Sequence, residues 1–416
     1  MAQDLTVTAD ERTYLRELAK QYVEYANKPV MAQRAARWYD HNELRGEWPM
    51  VVFESWGVMG ELTTFRCQSP LARELEQRML SAMVHQDVIG DDTVISPVIP
   101  VNWQVGFTLF DTGTRSHRGT DTKGRQVGFH IDSVVDDFPA WLAGLKPSTY
   151  GVDREATLAQ HAAVDDLLGD LVSVVRGNDS LKWFASPSAS INFFMGMEAM
   201  LTEMMDHPAE MKELYRRITD DMIAFMRWQE REGLLTADNG NHYAGAGSYG
   251  FSRELKPGHP VRLNEKWLCL HSQETVGISP AMFEEFVYPS YARLAETAGL
   301  VYFGCCEPVH DIWDNCIGKL HGLRKVSVSP WCDEPRIGEA TRAAGVIYSR
   351  KPRPNFVGVG TFDEPAFTEH VATTIRAARG GHLEFIYRDV YTFDGDKTKP
   401  GRAVRIIREQ IEKLWK

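Results

Sequence analysis

The sequence predicts a (β/α)8 TIM barrel carrying a mostly helical N-terminal extension, on three observations. From about Leu171 onward, short apolar runs alternate with stretches of helical period, the rhythm of right-handed βαβ units on a parallel sheet. About eight such runs fall within about 240 residues, which suits a barrel better than an open sheet. A doubly wound nucleotide-binding sheet would need a glycine-rich turn after its first strand. Gly245-Ala246-Gly247-Ser248-Tyr249-Gly250 has no strand before it and no helix after it, and reads as a glycine-rich loop.

Residues 1–165 form the expected extension. Thr8 or Asp10 caps a first helix with Leu15, Leu18, Tyr22 and Tyr25 on one face; Pro29 opens a second helix through Trp38. Met50-Val51-Val52-Phe53-Glu54 reads as a strand, and a helix from Pro70 to about His85 places Arg73, Glu74, Glu76 and Arg78 on its wet side. Residues 90–165 read as short strands and loops. In their midst, at 127–138, stands VGFHIDSVVDDF, whose His130 is a candidate substrate contact or else a histidine in an ordinary hydrogen bond.

The barrel is expected over 166–416. Its candidate strands are 171–175, 183–186, 234–236, 267–272, 300–304, 324–329, 345–349 and 382–387. Its candidate helices are 195–206, 209–232, 280–298, 309–320, 334–344, 364–379 and 401–414.

Composition removes several classes of function. The chain has 416 residues, 43% hydrophobic and 25% charged, enough for a large core, so disorder is excluded. A net charge of −11, with Lys and Arg scattered, leaves no basic stripe for nucleic acid. The N-terminus has acids where a signal peptide needs bases, and no run of about 18 apolar residues occurs, so a cytoplasmic location without membrane contact is expected. In that setting the six cysteines are expected as reduced thiols.

In such barrels chemistry sits at the C-terminal ends of the strands, so the polar residues that follow each apolar run are the candidates. These are His271, Gln273 and Glu274; Cys305, Cys306, Glu307 and His310; Ser329, Trp331 and Cys332; and Arg388, Asp389 and Tyr391. The stretch YFGCCEPVHD at 302–311 crowds thiol, carboxylate and imidazole, the donors that Zn²⁺ takes in tetrahedral geometry. Glu274, Cys306 and His310 are the leading metal candidates, with Cys305, Glu307 and Asp389 in reserve. The same residues also suit packing and the capping of a helix near Pro308.

Several stretches carry a resemblance: SPLARELEQRML, GMEAMLTEMMDHPAEMKELYRRITDDMIAFM, QETVGISPAMFEEFVYPSYARLAETAGLVYFGCCEPVHD, LRKVSVSPWCD and VIYSRKPRPN. Together they resemble the uroporphyrinogen decarboxylase superfamily, and within it the corrinoid-dependent methyltransferases and O-demethylase components. The resemblance covers most of the chain and is strongest from about 190 to 390. It implies a TIM barrel with zinc at its mouth. Many members carry a His-x-Cys turn here and a further Cys after the last strand; in this chain the Cys position matches Cys306, Gly304 stands at the His position, and Asp389 follows the last strand. An Arg-x-x-Gly-Arg-Tyr element, which grips substrate carboxylates in the porphyrinogen decarboxylases, is missing from 1–60.

The resemblance implies a methyl donor, an aryl methyl ether foremost, activated for attack by Co(I) of a corrinoid (cobalamin). The chain has no Asp-x-His-x-x-Gly element to ligate cobalt, so a separate corrinoid carrier protein is the expected partner. Arg388 and Asp389 are the expected catalytic groups, Asp389 as an acid or either as an orienter, and Tyr391 and Trp331 the expected aromatic contacts for the donor. A homodimer is left open. Two other readings stand beside this one: a decarboxylase or hydrolase that needs no corrinoid, and a non-catalytic subunit that binds a corrinoid protein.

Overall fold

The computed structural model describes residues 4–120 and 126–416. Among them the strands in chain order are β1 (Met50–Phe53), β2 (Val98–Asn102), β3 (Gln104–Thr108), β4 (Arg115–Thr120), β5 (Gln126–Asp132), β6 (Thr149–Asp153), β7 (Ser173–Gly177), β8 (Tyr243–Gly245), β9 (Ser248–Tyr249), β10 (Trp267–Leu270), β11 (Leu300–Phe303), β12 (Leu323–Val328), β13 (Ile347–Arg350) and β14 (His382–Tyr387). Six of them make one parallel sheet in the order β1-β14-β13-β12-β11-β10. With helices between most successive strands, this mixed α/β architecture is consistent with a TIM-barrel-like fold.

The five strands expected from 267 onward are all present, within two residues at each end. Three earlier ones are not in the sheet. β7 forms, but it pairs with β2 in a separate two-stranded parallel sheet. The 183–186 stretch contributes one bridge, Ala185 to Leu270, because Trp183 lies in the left-handed region (φ 56°) and breaks the extended run. Residues 234–236 form no strand; Leu234 and Leu235 are buried in a connection, a case in which an apolar run reports burial and not backbone shape.

The helices expected at 209–232, 334–344, 364–379 and 401–414 are present within two residues at each end. The one expected at 195–206 begins at Pro187 and is kinked at Gly196 (φ 77°). Pro280–Ala298 is broken into Pro280–Met282, a π turn Phe283–Val287 and the helix Tyr288–Ala295, because Pro289 has no N–H to continue the ladder. Residues 309–320 form turns with one short 3-10 segment, Ile317–Lys319, although Val309, Trp313, Cys316, Ile317 and Leu320 are buried as a helix face would be.

Thr8 caps the first helix in a capping box with Glu11. The helix Arg154–Leu168 lies in the stretch read as strands and loops. Glu76 is buried, not wet: its two carboxylate oxygens accept from the Arg66 and Cys67 backbone N–H groups. The expected extension also enters the main sheet. β1 pairs with β14, and Met50, Val52 and Ile386 share a core with Trp38, Leu15 and Leu18. The opposite face, with Val51, Phe53, Val301, Phe303, Val326, Val328 and Phe385, packs in a second core with residues of the surrounding helices.

Candidate active site

Strand alternation sends every second residue inward, and here that inward stripe is polar. Lys325 and Ser327 on β12, Ser349 on β13, Glu384 on β14, Tyr302 on β11 and Lys351 just past β13 are all fully buried or nearly so. The Glu384 carboxylate is the hub. It accepts from Lys325 Nζ at 2.9 Å, Ser349 Oγ at 2.6 Å, Ser248 Oγ at 3.0 Å and His41 Nε2 at 3.2 Å. Burial works against its ionisation, but Lys325 and His41 overcome it and hold the carboxyl well below the usual range. Lys351 Nζ bonds Tyr302 Oη at 2.7 Å and Ser349 Oγ at 2.8 Å, and burial pulls its pKa down to about 7.

The glycine-rich loop closes over this network as the hairpin β8–β9. A Cβ on Gly245 would lie 2.5 Å from the Tyr302 ring, and one on Gly247 (φ 87°) 2.5 Å from Ile386 and 2.9 Å from the Glu54 carboxylate. The glycines therefore serve close backbone approach.

Toward the C-terminal ends of the strands the character changes. Arg388 follows β14, and Asp389, at φ 61°, turns the chain immediately after it. Arg388 Nε lies 3.1 Å from Glu54 Oε2 and 3.5 Å from Asp389 Oδ1, neither aligned as a hydrogen bond, and its guanidinium sits over the Trp183 ring at 5.3 Å. Burial opposes its charge, but Glu54 and Asp389 keep it protonated, while burial pushes the Glu54 carboxyl up. Several buried atoms here have no hydrogen-bond partner among the described residues: Arg388 Nε and Nη1, Glu54 Oε2, both His271 ring nitrogens, Glu274 Oε2 and Tyr243 Oη. Burial, and to a lesser degree Glu307, raises Glu274 to about 7.

Glu307 ties two strand ends together, accepting from Ser272 N at 2.7 Å and Cys305 N at 2.8 Å. The Cys305 and Cys306 sulfurs are 3.5 Å apart, Cys305 buried and Cys306 exposed; their hydrogen bond favours Cys306 as thiolate and keeps Cys305 protonated. Trp56, Tyr391 and Trp331, each soon after a strand end, are 59%, 62% and 70% exposed, and Trp56 meets Tyr391 edge to face at 5.5 Å.

Of the expected residues, Arg388, Asp389, Cys305 and Cys306 form one electrostatically linked group, with Tyr391 near enough to feel Arg388, Asp389 and Cys306. The expected zinc trio is not assembled. His310 Nδ1 accepts from Asp333 N at 3.3 Å, and its Nε2 lies 3.6 Å from the Asp311 carboxylate, so its ring serves the loop. No three His, Cys, Asp or Glu side chains among the described residues come together as a metal-holding group. The residues therefore do not fit the expected zinc as placed. His130 is on the exposed β4–β5 ribbon, with its ring 5.1 Å from that of His117 and its Nε2 3.9 Å from the Asp132 carboxylate, both within the ribbon.

The sequence reading missed two functional candidates, Glu54 and Trp56, and two buried charges of the interior, Lys351 and Glu384. Glu54 directly follows the apolar β1, so the strand-end test finds it once β1 is counted; Lys351 follows β13, which itself ends in Ser349 and Arg350. Glu384 lies within a strand, where no sequence signal separates it from a solvent-facing residue.

A cavity of about 1050 Å³ opens beside the edge strand β10, lined by Trp103, Lys182, Asp238, His242, Tyr243 and Cys269 among others. Trp183 packs against Tyr243 of that lining and against His271, with ring centroids 5.8 Å and 5.1 Å apart.

No protein-family model matches the chain, and no curated protein sequence matches it. Among the described residues no helix is long and apolar enough to cross a membrane. Among solved structures, a methyltransferase from Methanosarcina mazei is similar with a TM-score of 0.50 and 11% identity, over 92% of this chain and 99% of that one, a likeness of fold.

Proposed function

We propose that the protein is the methyltransferase component of an O-demethylase, taking a methyl group from an aryl methyl ether at the strand ends and passing it to a corrinoid carried by a separate protein. The observation that carries this reading is the set of buried polar atoms without hydrogen-bond partners among the described residues, centred on Arg388, Glu54, His271 and Glu274, at the strand ends near exposed aromatic residues. Buried polar groups in folded proteins are nearly always satisfied, so such a cluster marks a place built for a ligand or its waters. The fold shared with a methyltransferase agrees with the reading.

An ether methyl group is inert because its leaving oxygen is a poor one, and protonating that oxygen lowers the barrier. Glu274 is the proton donor in this scheme: its Oε2 is buried and free to reach a ligand. Arg388, fixed between Glu54 and Asp389, orients the donor by hydrogen bonding, and Trp56, Tyr391 and Trp331 flank its ring. The corrinoid, when docked, supplies the nucleophile that accepts the methyl group. The same exposed aromatics give its carrier an apolar rim to cover, which excludes water from the reaction. Because the zinc trio is not assembled, no step passes through a metal.

The test is to incubate the full chain with an aryl methyl ether and a reduced corrinoid protein, following phenol release and loss of the reduced corrinoid's absorbance together. Phenol in step with that loss supports the reading. Product formed equally well without the carrier means a hydrolase or decarboxylase; carrier binding with no product from any methyl donor means a non-catalytic subunit.

A further inference from the structure

We infer that Cys305 and Cys306 form a vicinal dithiol that a low-molecular-weight disulfide oxidises to a reversible intrachain ring. The two sulfurs are 3.5 Å apart, in van der Waals contact. Cys306 is exposed and Cys305 buried, so an incoming reagent meets one sulfur with the second at its side. The remaining four cysteines are all buried, Cys269 on β10 and Cys67, Cys316 and Cys332 in three different connections.

The backbone holds the pair for this. Gly304, at φ 100°, makes the turn out of β11, and a Cβ there would stand 3.0 Å from that of Ser327. Cys305 N–H donates to Glu307 Oε2 at 2.8 Å, and its carbonyl accepts from Ser327 Oγ at 2.7 Å. The first residue of the pair is thus pinned from both sides, and closing the ring needs movement mainly at Cys306.

The bond that forms is labile. Consecutive Cα atoms are about 3.8 Å apart, inside the lower limit of about 4.4 Å for relaxed disulfides. Strain and exposure both favour reduction, so the ring is a switchable group and not a structural cross-link. The electron balance is that of ordinary exchange. The Cys306 thiol loses its proton and its sulfur attacks one sulfur of the reagent RSSR; the reagent's S–S bond breaks and RSH leaves with that proton. Cys305 then loses its proton and attacks the Cys306 sulfur of the mixed disulfide, releasing a second RSH. Two cysteine thiols are oxidised by two electrons, and one disulfide is reduced to two thiols.

The experiment treats the full chain with oxidised glutathione, alkylates remaining thiols and measures the mass of the peptide containing 302–311. The expected product is lighter by two hydrogens, unalkylated at both cysteines, and restored by dithiothreitol. Cys305→Ser should instead keep a glutathione adduct on Cys306. An adduct that persists on wild-type Cys306, or two cysteines that remain fully alkylatable, overturns the proposal; if the variant fails to fold, the wild-type masses decide alone. Phenylarsine oxide, which bridges two thiols with loss of water and without so small a ring, gives a second reading. It should block both thiols in wild type and be retained by neither Cys305→Ser nor Cys306→Ser. Failure of wild type to retain it shows that the sulfurs cannot act together. None of these readouts depends on methyl transfer, so they stand apart from the proposed function.

Discussion

The interior around Glu384 and the strand ends around Arg388 are both buried, charged and built from the same sheet, yet they differ in one respect. Around Glu384 every acidic oxygen has a donor: Lys325, Ser349, Ser248 and His41. At the strand ends Arg388 sits beside Glu54 and Asp389, and Glu274 near Glu307, but seven buried atoms in that region have no hydrogen-bond partner among the described residues. A satisfied network is what a fold needs to bury charge, and an unsatisfied one is what a ligand needs to find. Burial of polar groups alone would not have separated structure from function here.

Substitutions can break that contrast. The largest effect is expected from Glu384→Gln, which leaves Lys325 buried without a counter-charge and should cost about 3–5 kcal/mol, read as a lowered denaturant midpoint. A loss below about 1 kcal/mol would show that the interior is not the structural half of the pair.

Glu274→Gln should lower turnover by about 100-fold while the fold is kept. Its stability moves the other way. A carboxyl raised to about 7 stabilises the fold below its unfolded pKa and loses that contribution as pH rises from about 4.5 to 7. At pH 8 the glutamine variant should therefore be the more stable by about 1–3 kcal/mol. Unchanged turnover would remove Glu274 as the proton donor.

Lys351→Met tests the interior by pH. With the folded pKa pulled down to about 7, the unfolded chain holds a proton between about pH 7 and 10 that the folded one lacks, so this group makes stability rise across that window. Wild type should gain about 3–4 kcal/mol relative to the variant from pH 7 to 10; parallel curves would mean that Lys351 stays charged in the fold.

The smallest effect is expected at His310. Because its ring serves the 311–333 loop, His310→Ala should leave turnover unchanged and stability within about 0.5 kcal/mol. Zinc near one per chain by elemental analysis, lost in this variant, would restore the metal site and redraw the contrast around Glu274, Cys306 and His310.

The last five strands of the sheet were legible because each is an apolar run bounded by turns and followed by a helix of clear period. The start of the sheet was not. β1 reads as a strand, but its partner β14 lies more than 300 residues away, and register with a distant segment leaves no local trace. The runs 171–175 and 183–186 are apolar for reasons of burial that a second small sheet and a left-handed Trp183 satisfy equally well. At the site, Arg388, Asp389, Cys305 and Cys306 were found by their position after strands. His310 passed the same test and still turned away, because residues 309–320 turn back on themselves instead of forming the helix their spacing suggests.

Local chemistry in the sequence therefore determined the α/β class, the strand-then-helix order and the residues that leave each strand with polar groups. Periodicity and turn residues act over a few positions, and their message survives without the fold. Tertiary structure alone decided which polar residues meet. Glu384 is paired and Glu274 is not because of where helix Pro29–Asn42, the β8–β9 hairpin and Glu307 are brought, and hydrogen bonds and charge interactions depend on distances of a few ångströms between residues that the sequence keeps hundreds of positions apart.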